Sequence, residues 1–375
     1  MSNVLIVATT SYAGMGPYVS EIVNGFHADD DVYFFFVDYA DGFYKKNIKA
    51  DLQAKSLFYH YANSAWHKLH DLMTARPAYD KVVVNCCRKW RIDTVHYINE
   101  VCSAHMARRL EGMNIKVWNT VHDLHPHESR KAWHKMFRYK VIHRRQMKAL
   151  ASCHNMITNS WSQYEELRRM FPGKTVRYHA FPSLVTSVVA AGGKATPETA
   201  NLKRPYVLFF GRIEEYKGIA LLYEAFLAQP DDGHTLVIAG GGQLPPQVQP
   251  VPGRVVIVNR YIADEEILGL YEGAECVVYP YLSATQSGVL SLAFYFGTPV
   301  ICSDVPFFKS IVVASQSGLL FETGNAEDLK TKLAAFLSHA NREEMCARGR
   351  RYYEENYDSS AIRTALLGIY QESSK

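Results

Sequence analysis

Tyr206-Val207-Leu208-Phe209-Phe210-Gly211-Arg212-Ile213-Glu214-Glu215-Tyr216-Lys217-Gly218 holds the pattern that decides the fold. Five apolar residues in a row, with no polar alternation, describe a strand covered on both faces, which is the condition of a parallel sheet. A glycine turn follows, and from Gly218 to Leu227 the apolar spacing becomes helical. The chain opens in the same way. Val4 to Thr9 reads as a strand, Thr9 to Gly16 as a glycine-containing turn, Tyr18 to Phe26 as a helix and Val32 to Val37 as a second buried strand.

Outward from these two starts the alternation continues. Strands are expected near 94–98, 116–121, 154–158 and 175–180, with helices near 100–112, 132–151 and 160–170. In the second half strands fall near 235–239, 254–258, 275–279 and 298–302, with helices near 263–272 and 287–296. The fold class is therefore α/β, two doubly wound Rossmann-like domains. Residues 185–204 are small, polar and broken by Gly192-Gly193 and Pro197, so they read as a linker. This gives domains at 1–184 and 205–358, with a last helix within 359–375.

A chain of 375 residues suits two such domains, and 48% apolar with 13% aromatic residues excludes disorder along most of it. The seven cysteines are odd in number and form no CxxC pair, which fits a reducing cytoplasm. Cys86 and Cys87 read as small apolar side chains at a strand edge. The first residues lack a basic lead and a cleavage site, and no apolar run approaches the length of a membrane span. The charge is uneven. Residues 1–185 hold 25 Lys and Arg against 16 Asp and Glu, and 13 of the 15 histidines, while the remainder is net acidic. Such asymmetry points to an anionic partner for the first half alone.

In doubly wound sheets ligands sit at the carboxyl ends of strands, and four turns stand out there. Thr9 to Gly16 brings Gly14 and Gly16 close to a helix start, where backbone N–H groups can meet an anion, although a plain structural turn reads as well. No full dinucleotide fingerprint or Walker lysine accompanies them. The turn after Phe210 offers the planar fork of Arg212 and the point charge of Lys217, a clamp for a diphosphate or two solvated turn residues beside Glu214 and Glu215. Tyr279 to Leu290 carries Ser283, Thr285, Gln286 and Ser287 into a helix start, as helix caps, as an anion site or as both. The fourth turn holds His122, His125 and His127. Pro126 and the loop context give these histidines no regular metal-ligand face, so one histidine acting alone in a cleft is the preferred reading.

Together these residues resemble glycosyltransferase family 4. The resemblance rests on Gly211-Arg212 with Lys217-Gly218, on Thr120-Val121-His122-Asp123 and on Gly297-Thr298-Pro299-Val300-Ile301, in the family's order along nearly the whole chain. It implies the GT-B architecture, two domains facing across a cleft, and a retaining, nucleotide-sugar-dependent enzyme with an acceptor-binding first domain and a donor-binding second. Arg212 and Lys217 would then hold the donor diphosphate, with Gly14 and Gly16 approaching it and Ser287, Gly288 and Val289 adding backbone N–H groups. His122 matches the family's active-site histidine, Thr285 and Gln286 fall beside the donor sugar, and Arg260, Tyr261 and Ile262 fall where the base is cradled. The last helix crosses back to the first domain in this fold. One departure is visible. The family's glutamate pair would fall at Ala284 and Leu292 or at Gln286 and Phe294, and neither register holds a carboxylate.

The expected reaction moves a sugar from a UDP- or GDP-linked donor to a glycan or lipid-linked acceptor in bacterial-type polysaccharide or glycolipid assembly, with no metal and no NAD. Fixed cations and N–H donors would stabilise the leaving diphosphate. Asp29-Asp30-Asp31 and Asp231-Asp232 sit in turns at the other edge of their sheets. Residues 130–150 interleave Trp133, Phe137, Val141 and Met147 with eight basic side chains. That pattern describes either a domain helix with a solvated basic face or a contact with an anionic membrane at the inner face of the plasma membrane. Nucleic acid is not expected, since no reader motif is present. Two other classes stay open: an inactive GT-B-like scaffold or donor-binding subunit, and, further off, an NAD-dependent oxidoreductase with Asp38 or Asp41 as its ribose partner.

Overall fold

The computed structural model describes residues 3–11, 15–39, 42–61, 78–122, 124, 143–144, 146–202, 205–284, 287–339 and 341–372. The chain divides into two units, Met1–Pro182 with Ser359–Lys375, and Ser183–Asp358. The first unit carries β1 (Val4–Ala8), β2 (Val32–Asp38), β3 (Ser56–His60), β4 (Thr94–Tyr97), β5 (Lys116–Val121), β6 (Asn155–Thr158) and β7 (Thr175–Tyr178). They form one sheet in the order β3-β2-β1-β4-β5-β6-β7, parallel throughout. The order reverses between β1 and β4. Both faces are covered, as an unalternating apolar sequence requires. Ile6, Phe34 and Phe36 enter one core cluster, while Leu5, Val7, Phe35 and Val37 enter the other on the opposite face.

The second unit holds β8 (Tyr206–Phe210), β9 (Leu236–Ala239), β10 (Val255–Val258), β11 (Ala274–Tyr279), β12 (Val300–Ser303) and β13 (Gly318–Phe321). Their order is β10-β9-β8-β11-β12-β13, again parallel, with the reversal between β8 and β11. Two doubly wound α/β sheets are thus present.

Residues 185–204 do not form an open linker. Ser187–Ala191 is helical and Pro197–Thr199 a single 3-10 turn, both inside the second unit. A Cβ at Gly192 would meet the Leu268 side chain at 2.4 Å, so small residues here serve close packing. Cys86 and Cys87 lie on the helix Asp80–Lys89, not on a strand edge. Val83, Val84 and Cys87 are buried at helical spacing, and Asp80 begins and Arg88 and Lys89 end the helix in agreement with its dipole. All seven cysteines are free thiols. The edge strand β3 escapes a hydropathy reading because its five side chains are half-buried or exposed.

The last helix, Ser359–Glu372, belongs to the first unit. Ile362, Leu366, Ile369 and Tyr370 are buried in the same cluster as β1 and β2. Arg363 grips Asp30 with two guanidinium nitrogens. Tyr370 hydroxyl lies 2.6 Å from His96 Nδ1, and His96 Nε2 lies 2.7 Å from Thr120 Oγ1, which ties helix to sheet.

Candidate functional site

In the second unit four loops leave the carboxyl ends of β8, β9, β10 and β11. Gly211 is the first residue after β8 and stands at φ +139, a region that L side chains rarely adopt. A Cβ there would lie 3.1 Å from Lys217 Nζ and 3.9 Å from both Tyr281 Oη and Val289 Cγ1. The β8 and β11 loops therefore meet around Lys217. Leu282 N donates to Tyr216 O at 2.7 Å and fastens them to each other.

Lys217 ends the 3-10 turn Glu215–Lys217 and is 7% exposed. Its ammonium donates to Tyr281 Oη at 3.0 Å and lies 4.9 Å from the centre of that ring. Burial draws its pKa down to about 8, against the upward pull of Glu214 and with Arg212 adding to the fall. A desolvated cation in this state gains most from an arriving anion. Arg212 is its opposite: 76% of its side chain is exposed, and its guanidinium rests 3.3 Å from Glu214 Oε1.

The helix Val289–Phe296 starts beside Lys217 with Gly288 as its N-cap and no side chain capping it. The serines of this turn therefore do not cap it. A Cβ on Gly288 would strike Leu184 at 2.6 Å, so the turn is closely packed from behind. Ser287 hydroxyl sits against Tyr281. Thr285 and Gln286 lie outside the described residues. At the two positions where a second carboxylate would fall, Leu292 and Phe294 are buried in the core.

The expected base contacts divide. Arg260 is committed, since its guanidinium bonds Glu198 at 2.9 and 3.0 Å and Glu266 at 2.9 and 2.7 Å. Its side chain is a structural tie, so only its backbone remains for a base. Tyr261 is 80% exposed and Ile262 is buried.

The sequence reading passed over Gly240-Gly241-Gly242, directly after β9. A Cβ on Gly240 would lie 2.0 Å from Gly211 O, and Ile213 N donates to Gly241 O at 2.9 Å. Three glycines after a buried strand were the available signal. Tyr281, inside the Tyr279 to Leu290 turn, is the partner of Lys217.

In the first unit His122 follows β5. Its Nε2–H donates to Ile98 O at 2.9 Å, so that Nδ1 is the lone-pair nitrogen whenever the ring is neutral. The ring meets Tyr18 edge-on, with centroids 4.6 Å apart. Gln163, buried on the helix Trp161–Met170, clamps the loop from both ends: its amide donates to His122 O at 2.8 Å and accepts from Leu124 N at 3.0 Å. Gly16 has a packing role, since a Cβ there would lie 2.7 Å from the Phe43 ring. Gly14, Asp41, Asp123, His125, His127 and most of 130–150 lie outside the described residues. Asp38, weighed as a ribose partner, instead accepts from Tyr44 N at 3.3 Å and Lys45 N at 3.4 Å at a helix start. Among the described residues no three His, Cys, Asp or Glu side chains gather as metal ligands, and no helix is long and apolar enough to cross a membrane.

Both units have the build of GT-B glycosyltransferases. Aligned on the Anabaena protein HepE in complex with UDP, the chain gives a TM-score of 0.70 at 13% identity, covering 99% of this chain and 100% of that one. Residues 194–352, nearly the whole second unit, match the family model "Glycosyl transferases group 1". The D-inositol 3-phosphate glycosyltransferase of Xylanimonas cellulosilytica is 23% identical over 244 residues, 60% of this chain and 58% of that one. The phosphatidyl-myo-inositol mannosyltransferase of Mycobacterium leprae is 26% identical over 188 residues, 47% and 50%. The matches span about half the length of these curated relatives.

Proposed function

We propose that the chain is a retaining, metal-independent glycosyltransferase that uses a UDP- or GDP-linked sugar and delivers it to a glycan or lipid-linked acceptor. The observation that carries this reading is the buried ammonium of Lys217, placed between Gly211 and the uncapped start of helix Val289–Phe296. A cation, a helix N-terminus and backbone N–H groups at one sheet edge form a receptor for a diphosphate. The exposed guanidinium of Arg212 adds a planar fork. The UDP bound in the Anabaena neighbour's structure supports UDP as the first donor base to try.

In transfer, the bond from the anomeric carbon to the diphosphate oxygen breaks and its electron pair leaves with the nucleotide. The acceptor oxygen bonds to that carbon and its proton passes to the departing diphosphate. Lys217 and the helix start stabilise the charge that develops on the leaving group. His122 and the residues at 285–286 attend the sugar, and the backbone of 260–262 with Tyr261 attends the base. The basic segment 130–150 is proposed, from its sequence, to meet an anionic membrane where the acceptor is lipid-linked.

The second reading, a donor-binding subunit without transfer activity, is favoured by the apolar, buried Leu292 and Phe294 where the family's second carboxylate would stand. One titration series separates the readings. UDP and GDP should raise the melting temperature without added metal, and Arg212→Ala and Lys217→Ala should lose the shift; at one hundred times the dissociation constant it corresponds to about 2.7 kcal/mol. Release of free sugar or a glycosylated acceptor from UDP- or GDP-sugars then marks an enzyme. Binding without turnover of any such donor marks the subunit, and absence of nucleotide binding overturns both.

A further inference from the structure

Arg260 joins two carboxylates that come from different segments of the second unit. Its guanidinium donates to Glu198 at 2.9 and 3.0 Å and to Glu266 at 2.9 and 2.7 Å. Glu198 lies on the 3-10 turn Pro197–Thr199, and Glu266 in the first turn of the helix Asp264–Glu272. We infer that Glu198 and Glu266 are positioning residues for the nucleotide base, acting through Arg260 to hold the ring of Tyr261 where it stacks on that base. The inference rests on the donor reading above and deepens its base end.

A continuous floor leads from the phosphate end to this ring. A Cβ on Gly211 would lie 3.1 Å from Lys217 Nζ, one on Gly240 2.0 Å from Gly211 O, and one on Gly241 3.3 Å from both Arg260 C and Tyr261 N. Glycine backbone therefore links Lys217 to Tyr261 along the turns after β8, β9 and β10, and a ligand can lie close to such backbone. At the far end Tyr261 is 80% exposed. An open aromatic ring is a stacking surface for any base.

The loop that carries the ring is fixed on both sides of it. Asn259 Oδ1 accepts from Gly242 N at 3.1 Å, Tyr261 O accepts from the Arg260 guanidinium at 3.2 Å, and Glu266 Oε2 accepts from Ala263 N at 3.0 Å. Ile262, the next residue, is buried. A ring on a loose loop would lose freedom when it stacks, and this network removes much of that cost before a ligand arrives. Hydrogen bonds from Arg260 hold both carboxyls below their usual pKa, so the network stays ionised at neutral pH. On the Glu198 side it adds little to the stability of the fold, because both side chains of that pair are 36% exposed. That half of the network therefore acts on the loop rather than on stability.

The test is calorimetry on the full chain with UDP and with inorganic pyrophosphate, which has the phosphates but no base. Glu198→Ala should weaken UDP binding about fivefold and leave pyrophosphate binding and the melting temperature of the ligand-free protein unchanged. Glu198→Gln, which still accepts from Arg260, should restore part of the loss. Tyr261→Ala should weaken UDP binding about tenfold, and Tyr261→Phe, which keeps the ring, should not. In the Tyr261→Ala background Glu198→Ala should cost nothing further, because its effect runs through the ring. Glu266→Gln should show the same selective loss, and where that buried substitution melts early Glu198→Ala decides. Unchanged UDP binding in Glu198→Ala, equal losses for UDP and pyrophosphate, or additive losses in the double variant overturn the inference while the donor reading stands. A wild type that binds neither ligand overturns the donor reading and this inference with it.

Discussion

Lys217 donates a hydrogen bond of 3.0 Å to the phenol oxygen of Tyr281, at a point where the chain has almost excluded water from the ammonium. A neutral phenol orients the charge without cancelling it. The free protein therefore carries a desolvated cation, and its pKa near 8 records that cost. The shift from 10.5 corresponds to about 3 kcal/mol. Between about pH 8 and 10.5 the unfolded chain binds the extra proton, so this group makes stability rise with pH through that window.

Nucleotide affinity should move the other way. A diphosphate recruits the protonated amine, so UDP affinity in calorimetry should hold below about pH 8 and fall by up to tenfold per unit above it. Lys217→Met should flatten that pH profile, weaken UDP binding about a hundredfold and raise the melting temperature of the ligand-free protein. A variant less stable than wild type would contradict the desolvation account.

Gly240→Ala places a methyl 2.0 Å from Gly211 O at a φ of +145. Something in the turns after β8 or β9 must move, at a cost of about 2–4 kcal/mol. Urea titration should show the loss and calorimetry should show weakened UDP binding, although residue 240 bears no charge. Gly324→Ala is the control: its φ is +81 but nothing lies within 4 Å of the added methyl, so strain alone acts there. UDP affinity should then be unchanged.

Substitution at His122 and Gln163 tests positioning. His122→Ala should lower turnover about a hundredfold while UDP affinity stays near wild type. Gln163→Ala removes both hydrogen bonds that fix the His122–Leu124 loop. It should lower turnover with little change in nucleotide affinity, and Gln163→Glu should restore part of the loss, since a carboxylate still accepts from Leu124 N. Equal losses in kcat and UDP affinity would mean that the substitution acts through general destabilisation.

The sequence made the two parallel sheets legible because buried strands such as Val4–Ala8 and Tyr206–Phe210 carry no polar residue, and the turns after them are where loops must converge. Arg212, Lys217 and His122 stand in such turns and were therefore readable as candidates. What was hidden depends on distance in the chain. Nothing local announces that Tyr281 will sit under Lys217, 64 residues earlier, or that Glu198 and Glu266 will occupy Arg260. The misreading of Cys86 and Cys87 arose from the β-branched run Val82-Val83-Val84, whose strand preference tertiary burial on a helix overrides.

Acid should open the first unit before carboxylates titrate. Burial lowers the pKa of His179 to about 4 and that of His96 well below the usual 6.5, with the neighbouring His179 adding to the fall of His96 and His122 adding to both. Below about pH 6.5 the unfolded chain gains two protons that the native state refuses, so stability should fall by about 2.7 kcal/mol per pH unit toward pH 4. Chemical denaturation at about pH 7 and 5.5 reads the slope. His179→Asn should halve it, and an unchanged slope would mean that His179 is solvated in the native protein.

Removal of residues 359–375 should unfold the first unit rather than trim it. The deleted helix buries Ile362, Leu366, Ile369 and Tyr370 in the cluster that covers one face of β1 and β2. At about 1.5–3 kcal/mol per apolar side chain the loss is of the order of 6 kcal/mol or more, comparable to the whole stability of a domain. It also strips Tyr370 from His96 and Arg363 from Asp30. Burial alone would push the Asp30 carboxyl up, but hydrogen bonds from Arg363 and from His27 N outweigh it and hold the pKa below its usual value. That ion pair therefore contributes at neutral pH and is lost as pH falls through the lowered pKa of Asp30. Proteolysis of the truncated chain should leave a resistant fragment that starts near Ser183 and still binds UDP, while the first unit is degraded. Survival of the first unit as a resistant fragment would show that its core closes without the last helix.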